Sequence, residues 1–496
     1  MLEIIMSILT PMHLLMMALG VGAGTVIGAL PGLNVVFAIA VLLPFTFGMD
    51  SISSMYLLLG TYCGGTFGGS ISAVLINTPG TPAACATGFD GYPMAQKGRA
   101  GDALRIALMS SFTGGILSCL ALIFFAPQIA TMAKRFGAPE FFALCVFGMA
   151  AAIGIAGDKP VKGVIMACMG LIFSTVGIDS SEGVQRFMFG NMYLLAGIST
   201  IAIMLGVFAM TEVLDKSVNI VRSEESGSIH IAYSKATIKL KEIFKYWKTM
   251  LRSSLFGIVL GALPGTGGAI TAMLSYNEAK RNSKNPDEFG TGCVEGIVAP
   301  ETGNNATTGA TLIPLLTLGI PGDASVAVLI GALTMQGIIP GPSLFEKGSS
   351  WVYTIMGGLL LVNVFMLLEG MTFTKLFANL IRVPVKVLTP CILILCVVGA
   401  FSISNNSFNV IIMMLFGILG YILRKNDFPI APFIIALVLG KLMENNLRRA
   451  LILSQGSPAI FFTRPISLGI MVLSFLSLIY PYIREYMEKK RKGIKQ

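Results

Sequence analysis

The chain has 496 residues, of which 54% are hydrophobic and only 12% are charged, and its mean hydropathy is +0.79. About a quarter of the residues of a soluble globular protein are charged, so this composition excludes a soluble domain and indicates an all-α polytopic membrane protein. The net charge of +10 does not indicate nucleic-acid binding, because the basic residues lie between or after the apolar segments, as the positive-inside rule describes.

Apolar segments of roughly twenty residues recur along the whole chain, and a bilayer core about 30 Å thick needs about that many residues per helix. The sequence therefore predicts about twelve transmembrane segments. Met1 to Thr10 contain no Lys or Arg and so lack the basic flank of a cleavable signal peptide. The first apolar segment is expected to remain as a membrane helix.

The first predicted helix is interrupted by the pentapeptide Gly28-Ala-Leu-Pro-Gly32, which occurs again at Gly261 to Gly265. In lipid, a non-helical backbone survives only where protein or a polar cavity supplies hydrogen-bond partners. Breaks of this kind, present once in each half of a membrane protein, are typical of transport sites. We therefore predict a broken or re-entrant helix at both places.

A second Gly/Pro break follows each pentapeptide by about fifty residues, at Asn77 to Pro82 and at Gly319 to Ser325. Proline removes a backbone donor and glycine accepts positive φ, so each break stops one helix and allows a sharp re-entry. Good N-cap residues follow the breaks, and a set of helix N-termini facing one another would bind an anion without an arginine. The alternative is a set of ordinary kinks and caps. The predicted caps are Asn34, Thr81, Thr266 and Asp323.

Three ordered anchors suggest an internal repeat. Pro31 matches Pro264, Pro79 matches Pro321, and Cys145-Val-Phe-Gly matches Cys396-Val-Val-Gly, with offsets of 233, 242 and 251 residues. The sequence predicts a first transmembrane repeat over 1–214, a basic cytoplasmic linker over 215–252, a second repeat over 253–482 and a basic cytoplasmic tail over 483–496. Inverted and parallel repeats both remain open.

The linker alternates apolar and basic residues at helical spacing, which suits a helix on the membrane surface, although a simple tether would have a similar composition. The tail contains Lys489, Lys490, Arg491, Lys492 and Lys495. By the positive-inside rule this cluster places the C-terminus in the cytoplasm, next to anionic lipid.

A polar run, Ala299 to Thr311, precedes the last break and carries amides, hydroxyls and a carboxylate into an apolar region. In lipid such side chains must face a cavity or another helix. Asn304, Asn305 and Thr308 can donate to a substrate carboxylate or coordinate a small cation, and hydrogen bonding between helices is the competing use. Glu301 and Asp323 are the candidates for ion coupling, although Asp323 could serve only as a helix cap.

The predicted substrate-binding residues are those of the four breaks and of the polar run: Gly32, Asn34, Asn77, Thr78, Pro79, Gly80, Thr81, Gly265, Thr266, Asn304, Asn305, Thr308, Pro321, Gly322 and Ser325. The sequence predicts no enzyme, because it contains no phosphate-binding loop and Ser70 has no plausible histidine partner. The presence of only two histidines excludes a multi-histidine metal site, and the eight cysteines, which form no CxxC pair, are interpreted as small apolar packing residues. No cofactor or metal is expected beyond a coupling cation, sodium or proton.

These motifs together resemble the TctA family, the large membrane subunit of bacterial tripartite tricarboxylate transporters. The resemblance covers essentially the whole chain. Its most specific parts are Gly28 to Gly32, Asn77 to Ala83, Asp90-Gly-Tyr-Pro93, Tyr276-Asn-Glu278 with Phe289-Gly290, Glu295-Gly296, and Ala299 through Asn304-Asn305 to Gly322.

The resemblance implies uptake of a small carboxylate, such as citrate, driven by an ion gradient across the inner membrane. It also implies two partners, a small TctB-like membrane subunit and an extracytoplasmic TctC-like solute-binding protein. Two departures bear on the substrate. Asp323 stands where family members often carry a small hydroxyl residue or alanine, and Thr302-Gly303 replaces the usual alanine pair before the tandem asparagines.

The leading hypothesis is thus a secondary-active carboxylate transporter with its sites between two repeats. The alternative is a channel or a structural membrane scaffold, in which the breaks only shape a pore or kink helices. A carrier would saturate and need an ion gradient, whereas a channel would conduct without saturation.

Overall fold

The computed structural model describes residues 2–154, 160–179, 182–222, 234, 236–347, 349–380 and 385–493. In these ranges the β structure is confined to one antiparallel pair, β1 Gly177–Ile178 and β2 Gln185–Arg186, and helices dominate the rest. The predicted all-α class is confirmed.

The helices of the first half are α1 Leu2–Ile8, α2 Pro11–Ala29, α3 Val35–Leu42, α4 Ser51–Ile76, α5 Ala84–Met94, α6 Ala100–Ala133, α7 Ala138–Gly154, α8 Pro160–Ser174, α9 Thr200–Met204 and α10 Thr211–Arg222. Short 3-10 turns occur at Leu43–Thr46 and Met192–Leu194, and π-helical turns join α5 to α6 at Ala95–Arg99 and α9 to α10 at Leu205–Met210.

The helices of the second half are α11 Leu240–Ile243, α12 Trp247–Gly261, α13 Gly267–Asn282, α14 Glu295–Ala310, α15 Leu312–Leu318, α16 Ala324–Met335, α17 Leu344–Lys347, α18 Ser349–Leu380, α19 Val385–Ser402, α20 Ser407–Lys425, α21 Ile430–Leu453, α22 Ile460–Thr463 and α23 Pro465–Gly493. Two further 3-10 turns lie at Phe244–Tyr246 and Pro286–Glu288.

Six helical segments of the described chain are long and apolar enough to cross a bilayer. They are Pro11–Ala29, Ser51–Ile76, Ala84–Ala133, Ser350–Phe377, Ser407–Lys425 and Ile430–Leu453. Further apolar helices of 10 to 17 residues include α7, α8 and α16. At about 1.5 Å per residue these shorter helices fall below the thickness of a bilayer core, so the number of crossings stays a prediction. The chain is a multi-pass membrane protein.

Glycines let α2 and α4 pack backbone to backbone. A Cβ added at any of six positions would overlap backbone atoms of the facing helix: Gly20, Gly24 and Gly28 on α2, and Gly60, Gly64 and Gly68 on α4. Small residues allow this close approach in membranes, where no hydrophobic effect drives helices together. The glycines of α4 thus form a packing surface for α2.

Equivalent helices make equivalent contacts in the two halves. Helix α2 packs on α4 as α12 packs on α14, and Gly80 lies against Gly69 as Gly322 lies against Thr311, with an offset of 242 residues for both members (322−80 and 311−69). Helices α7 and α8 pack on α21 of the second half, while α19 and α20 pack on the α9–α10 segment of the first. The internal repeat and its boundaries stay predictions, and these matched contacts support them.

The described part of the predicted linker is attached to the start of α6. Asp102 accepts hydrogen bonds from the backbone N–H groups of Thr237 (2.6 Å) and Ile238 (2.8 Å), and Arg105 donates to the Ile238 carbonyl at 3.0 Å. Linker residues 215–222 continue α10, helical structure resumes in the described residues at Leu240, and Trp247 is 52% exposed. Residues 223–233 and 235, and the side chains of the basic tail, lie outside the described residues.

Candidate functional site

The first break separates α2 from α3. Helix α2 ends at Ala29, and Gly32 takes a φ of 79°, a conformation that glycine accepts without steric cost. The side chain of Asn34 accepts a hydrogen bond from the Phe37 N–H at 2.8 Å, so it caps α3. The predicted break and the predicted Asn34 cap are both confirmed.

The second break separates α4 from α5. Asn77 ends α4 with a φ of 53°, and both Asn77 and Thr78 are exposed. Helix α5 begins only at Ala84, so the prediction that Thr81 is its N-cap is wrong. A turn precedes the helix, and the Thr81 hydroxyl accepts from the Ala84 N–H at 3.4 Å from within that turn.

The third break separates α12 from α13. Helix α12 ends at Gly261 and Gly265 has a φ of 88°. The prediction that Thr266 caps α13 is wrong, because its hydroxyl instead donates to the carbonyls of Leu260 and Leu263 at the end of the preceding helix. Helix α13 therefore begins without a side-chain cap, and the N–H groups of a first helical turn have no partner within the helix itself.

The fourth break separates α15 from α16. Gly319 ends α15 with a φ of 73°, and Asp323 caps α16 by accepting from the Val326 N–H at 2.8 Å. This cap is confirmed. Pro321, Gly322 and Ser325 are buried around it.

The breaks meet in two pairs, one in each half. Gly265 N–H donates to the Gly322 carbonyl at 2.6 Å, while Gly80 packs against the Gly28 carbonyl. Helix α4 connects the halves, because the Tyr62 hydroxyl lies 3.0 Å from Asp323 Oδ2 and 3.1 Å from Thr311 Oγ1. Sequence reasoning missed Tyr62, because it lies in a helix outside the breaks and the polar run and its partners are about 250 residues away in the chain.

Gly80→Ala should disrupt the first pair. The new methyl group would collide with the Gly28 carbonyl and approach Gly69 Cα to 3.0 Å, and overpacking of this kind costs about 1–3 kcal/mol. We expect lower thermal stability and loss of transport per inserted molecule. Gly469→Ala is the matched control, because nothing lies within 4 Å of the added Cβ. Equal behaviour of the two variants would show that the first pair tolerates extra volume.

A cavity of about 160 Å³ lies at the second pair of breaks. Its lining comprises Ala152, Gly265, Asp323, Ala324, Pro429, Ile430, Ala431, Pro432 and Ile435. Asp323 is the charged member of this otherwise small and apolar set. The start of α21, which sequence reasoning did not connect with the site, thus forms one wall.

Asn304 lies beside the uncapped start of α13. It is 2% exposed, and its side-chain oxygen is in contact with Gly268. Its amide nitrogen has no hydrogen-bond partner among the described residues. The other two polar candidates differ, because Thr308 donates to the Asn305 carbonyl at 2.8 Å and Asn305 donates within a buried network. Of the three, Asn304 offers the free donor.

Glu301 is the centre of that buried network. Its carboxylate accepts hydrogen bonds from the hydroxyls of Ser70 on α4, Thr87 on α5 (2.5 Å) and Ser111 on α6 (2.7 Å). The Asn305 amide donates to Ser111 Oγ at 2.8 Å and to the Glu301 carbonyl at 3.1 Å. Sequence reasoning selected Glu301 and missed the three hydroxyl residues, which come from separate helices of the first half.

Asp90, which sequence reasoning did not select as an individual residue, has a structural role. It accepts from the backbone N–H groups of Gly290 (2.9 Å), Gly292 (2.8 Å) and Cys293 (2.9 Å), and from the Tyr276 hydroxyl at 3.0 Å. Each oxygen is satisfied by these donors, so Asp90 fixes the loop before α14 to α5. This contact brings the Asp90 and Phe289-Gly290 motifs together in space.

Discontinuous helices that meet around buried carboxylates place the chain in the class of multi-pass membrane transport proteins. It belongs to the tripartite tricarboxylate transporter TctA family, whose model matches residues 14–435. The recognition made from the motifs is confirmed.

Two relatives come from Agrobacterium vitis. An uncharacterized 52.8 kDa protein in the TAR-I ttuC' 3' region is 36% identical over 485 residues, covering 98% of this chain and 96% of the relative. An uncharacterized protein in the TAR-II ttuC' 3' region is 36% identical over 234 residues, which are 47% of this chain and 97% of that protein. No solved structure matches.

Proposed function

We propose that this chain is the large permease subunit of a tripartite secondary transporter that uses a sodium or proton gradient to import small organic di- or tricarboxylates such as citrate. The membership of the TctA family supports this proposal. Its partners would be a TctB-like membrane subunit and a TctC-like extracytoplasmic solute-binding protein. The chain would lie in the inner membrane with its basic C-terminus in the cytoplasm near anionic lipid.

The proposal rests mainly on the hydrogen-bond donors at the start of α13. The side-chain amide of Asn304 is buried without a partner, and the adjacent first turn of α13 has no side-chain cap. An unsatisfied buried donor is costly unless a ligand or water satisfies it. Backbone N–H groups of a helix N-terminus and a neighbouring amide are suitable donors for a carboxylate, because the helix dipole also favours negative charge there.

The negative charge of Asp323 would make a bound cation necessary at this anion site. A Cβ added at Gly267, the first residue of α13, would lie 3.9 Å from Asp323 Cβ. No Lys, Arg or His contributes a charge at Asp323 among the described residues. Two negative groups this close repel strongly in a low-dielectric site, so substrate entry would require a cation or proton at Asp323. That requirement would couple the two fluxes.

Conformational change would occur between the halves. Each pair of breaks is internal to one half. Contacts between distant segments of the chain are the Tyr62–Asp323 hydrogen bond and the cavity wall, to which Ala152 and the start of α21 both contribute. Rocking of one repeat against the other around such a site is the usual form of alternating access.

Uptake of labelled di- and tricarboxylates by a host that lacks its own carriers tests the proposal. We expect saturable uptake that needs both partner subunits and disappears when the sodium and proton gradients are collapsed. Non-saturating uptake that ignores the gradients would instead support a channel. A complete lack of uptake in the presence of both partners would support the alternative that the chain is a structural scaffold.

A further inference from the structure

Glu301 and the groups that contact it form a compact oxygen-rich cluster, here called the hydroxyl cage. It consists of Ser70, Thr87, Ser111, Glu301 and Asn305, and all five residues are at most 1% exposed. The cage residues come from α4, α5, α6 and α14, so four helices converge on one carboxylate. Three hydroxyl oxygens lie within hydrogen-bond distance of its two oxygens.

The cage has no positive charge. Among the described residues, no Lys, Arg or His pairs with Glu301, and its neighbours are the neutral groups of the cage. Transfer of an isolated carboxylate from water to the interior costs several kcal/mol even after relaxation, and hydrogen bonds from neutral hydroxyls recover only part of this. An ionised Glu301 would therefore carry an uncompensated negative charge in the interior, which a bound cation or proton would neutralise.

The chemistry of the cage suits a monovalent hard cation. Each hydroxyl carries two acceptor lone pairs besides its donor, so rotation of the O–H bond presents oxygen to a cation. One carboxylate supplies one negative charge, which balances Na⁺ and leaves Ca²⁺ or Mg²⁺ undercompensated. A proton binds a single carboxylate oxygen, whereas a sodium ion takes several oxygen ligands, which the carboxylate and the three hydroxyls together can supply.

We propose that the hydroxyl cage is a sodium-binding site, with Glu301, Ser70, Thr87 and Ser111 as ligands and with Asn305 positioning Ser111. Its use in coupling rests on the proposed function. Glu301 and Asn304 are three residues apart on α14 and so lie on adjoining turns of one helix face. Sodium in the cage would fix the turn of α14 that presents the Asn304 amide to the substrate.

Sodium binding is measured on the purified full-length protein in detergent, from the unfolding temperature as a function of NaCl concentration, with KCl or choline chloride maintaining the ionic strength. A ligand that binds only the folded state raises this temperature in a concentration-dependent manner. We expect a sodium-specific rise for the wild type and none for Glu301→Gln.

Ser111→Ala and Ser110→Ala form a matched pair. Both serines are buried neighbours on α6, but Ser110 Oγ has no hydrogen-bond partner among the described residues, whereas Ser111 Oγ contacts Glu301. We expect Ser111→Ala to fold and to raise the half-saturating sodium concentration by roughly tenfold, as for the loss of one strong polar contact. Ser110→Ala should retain the wild-type value.

The outcomes separate the cage from the transporter proposal. An equal response to sodium, potassium and choline in the wild type, or equal sodium responses of the two serine variants, would overturn the sodium site. Stabilisation by low pH alone, lost in Glu301→Gln, would replace sodium with a proton and overturn it as well. Sodium binding that depends on Ser111 would uphold the site even if no carboxylate uptake were detected.

Discussion

Asn304→Ala should reduce carboxylate uptake by roughly 10- to 100-fold, the usual effect of removing one hydrogen bond to a charged group. The amide nitrogen of Asn304 is buried and has no hydrogen-bond partner among the described residues, so its loss should leave the fold intact. Initial rates of labelled-carboxylate uptake, normalised to the amount of chain in the membrane, measure the effect.

Asn446→Ala is the control for this variant. Asn446 is another buried asparagine in a membrane helix, and its amide donates to the Leu442 carbonyl of its own helix at 2.8 Å. We expect near wild-type uptake from it. Asn304→Asp should be more severe than Asn304→Ala, because it replaces a donor with a negative charge at the place proposed for the substrate carboxylate. Wild-type uptake by both Asn304 variants would remove Asn304 from the substrate site.

Asp323→Asn should uncouple part of the cation flux. Asparagine is also a good N-cap, so α16 should remain capped while the negative charge disappears. With the charge gone, a substrate carboxylate no longer needs a cation at this position. For each cation lost from the cycle, the maximal accumulation ratio falls about tenfold under a tenfold gradient, which corresponds to about 1.4 kcal/mol.

The measurement is the steady-state ratio of internal to external substrate at a fixed, imposed cation gradient. Asp50→Asn is the matched control, because Asp50 also caps a membrane helix by accepting from a backbone N–H, that of Ser53 at 2.9 Å, and lies away from the breaks. An unchanged accumulation ratio in Asp323→Asn would limit Asp323 to a capping role.

The positions of the four breaks were predictable because proline and glycine act locally. Proline removes a donor and glycine permits positive φ whatever surrounds them, and Gly32, Gly265 and Gly319 take such a φ. The caps at Asn34 and Asp323 followed from the same local chemistry. The predicted caps at Thr81 and Thr266 were wrong, because the turn in which a threonine lies determines which nearby backbone group its hydroxyl contacts.

The environment of Glu301 could not be read from the chain. Glu301 is separated from Ser70, Thr87 and Ser111 by 231, 214 and 190 residues. Periodicity and composition describe single helices and give no information on which faces meet across two halves. The assignment of the three polar candidates also needed the structure, since Asn304, Asn305 and Thr308 share one segment and differ only in where their donors point.

Coupling of carboxylate movement to a cation gradient through a saturable site separates a carrier from a channel or a scaffold. Its most direct test is labelled-carboxylate uptake into liposomes that contain the purified chain with its two partner subunits, with and without an imposed inward cation gradient. We expect a carrier's result, which is saturable accumulation above equilibrium that requires the gradient. Linear equilibration of the substrate, unaffected by the gradient, would contradict it.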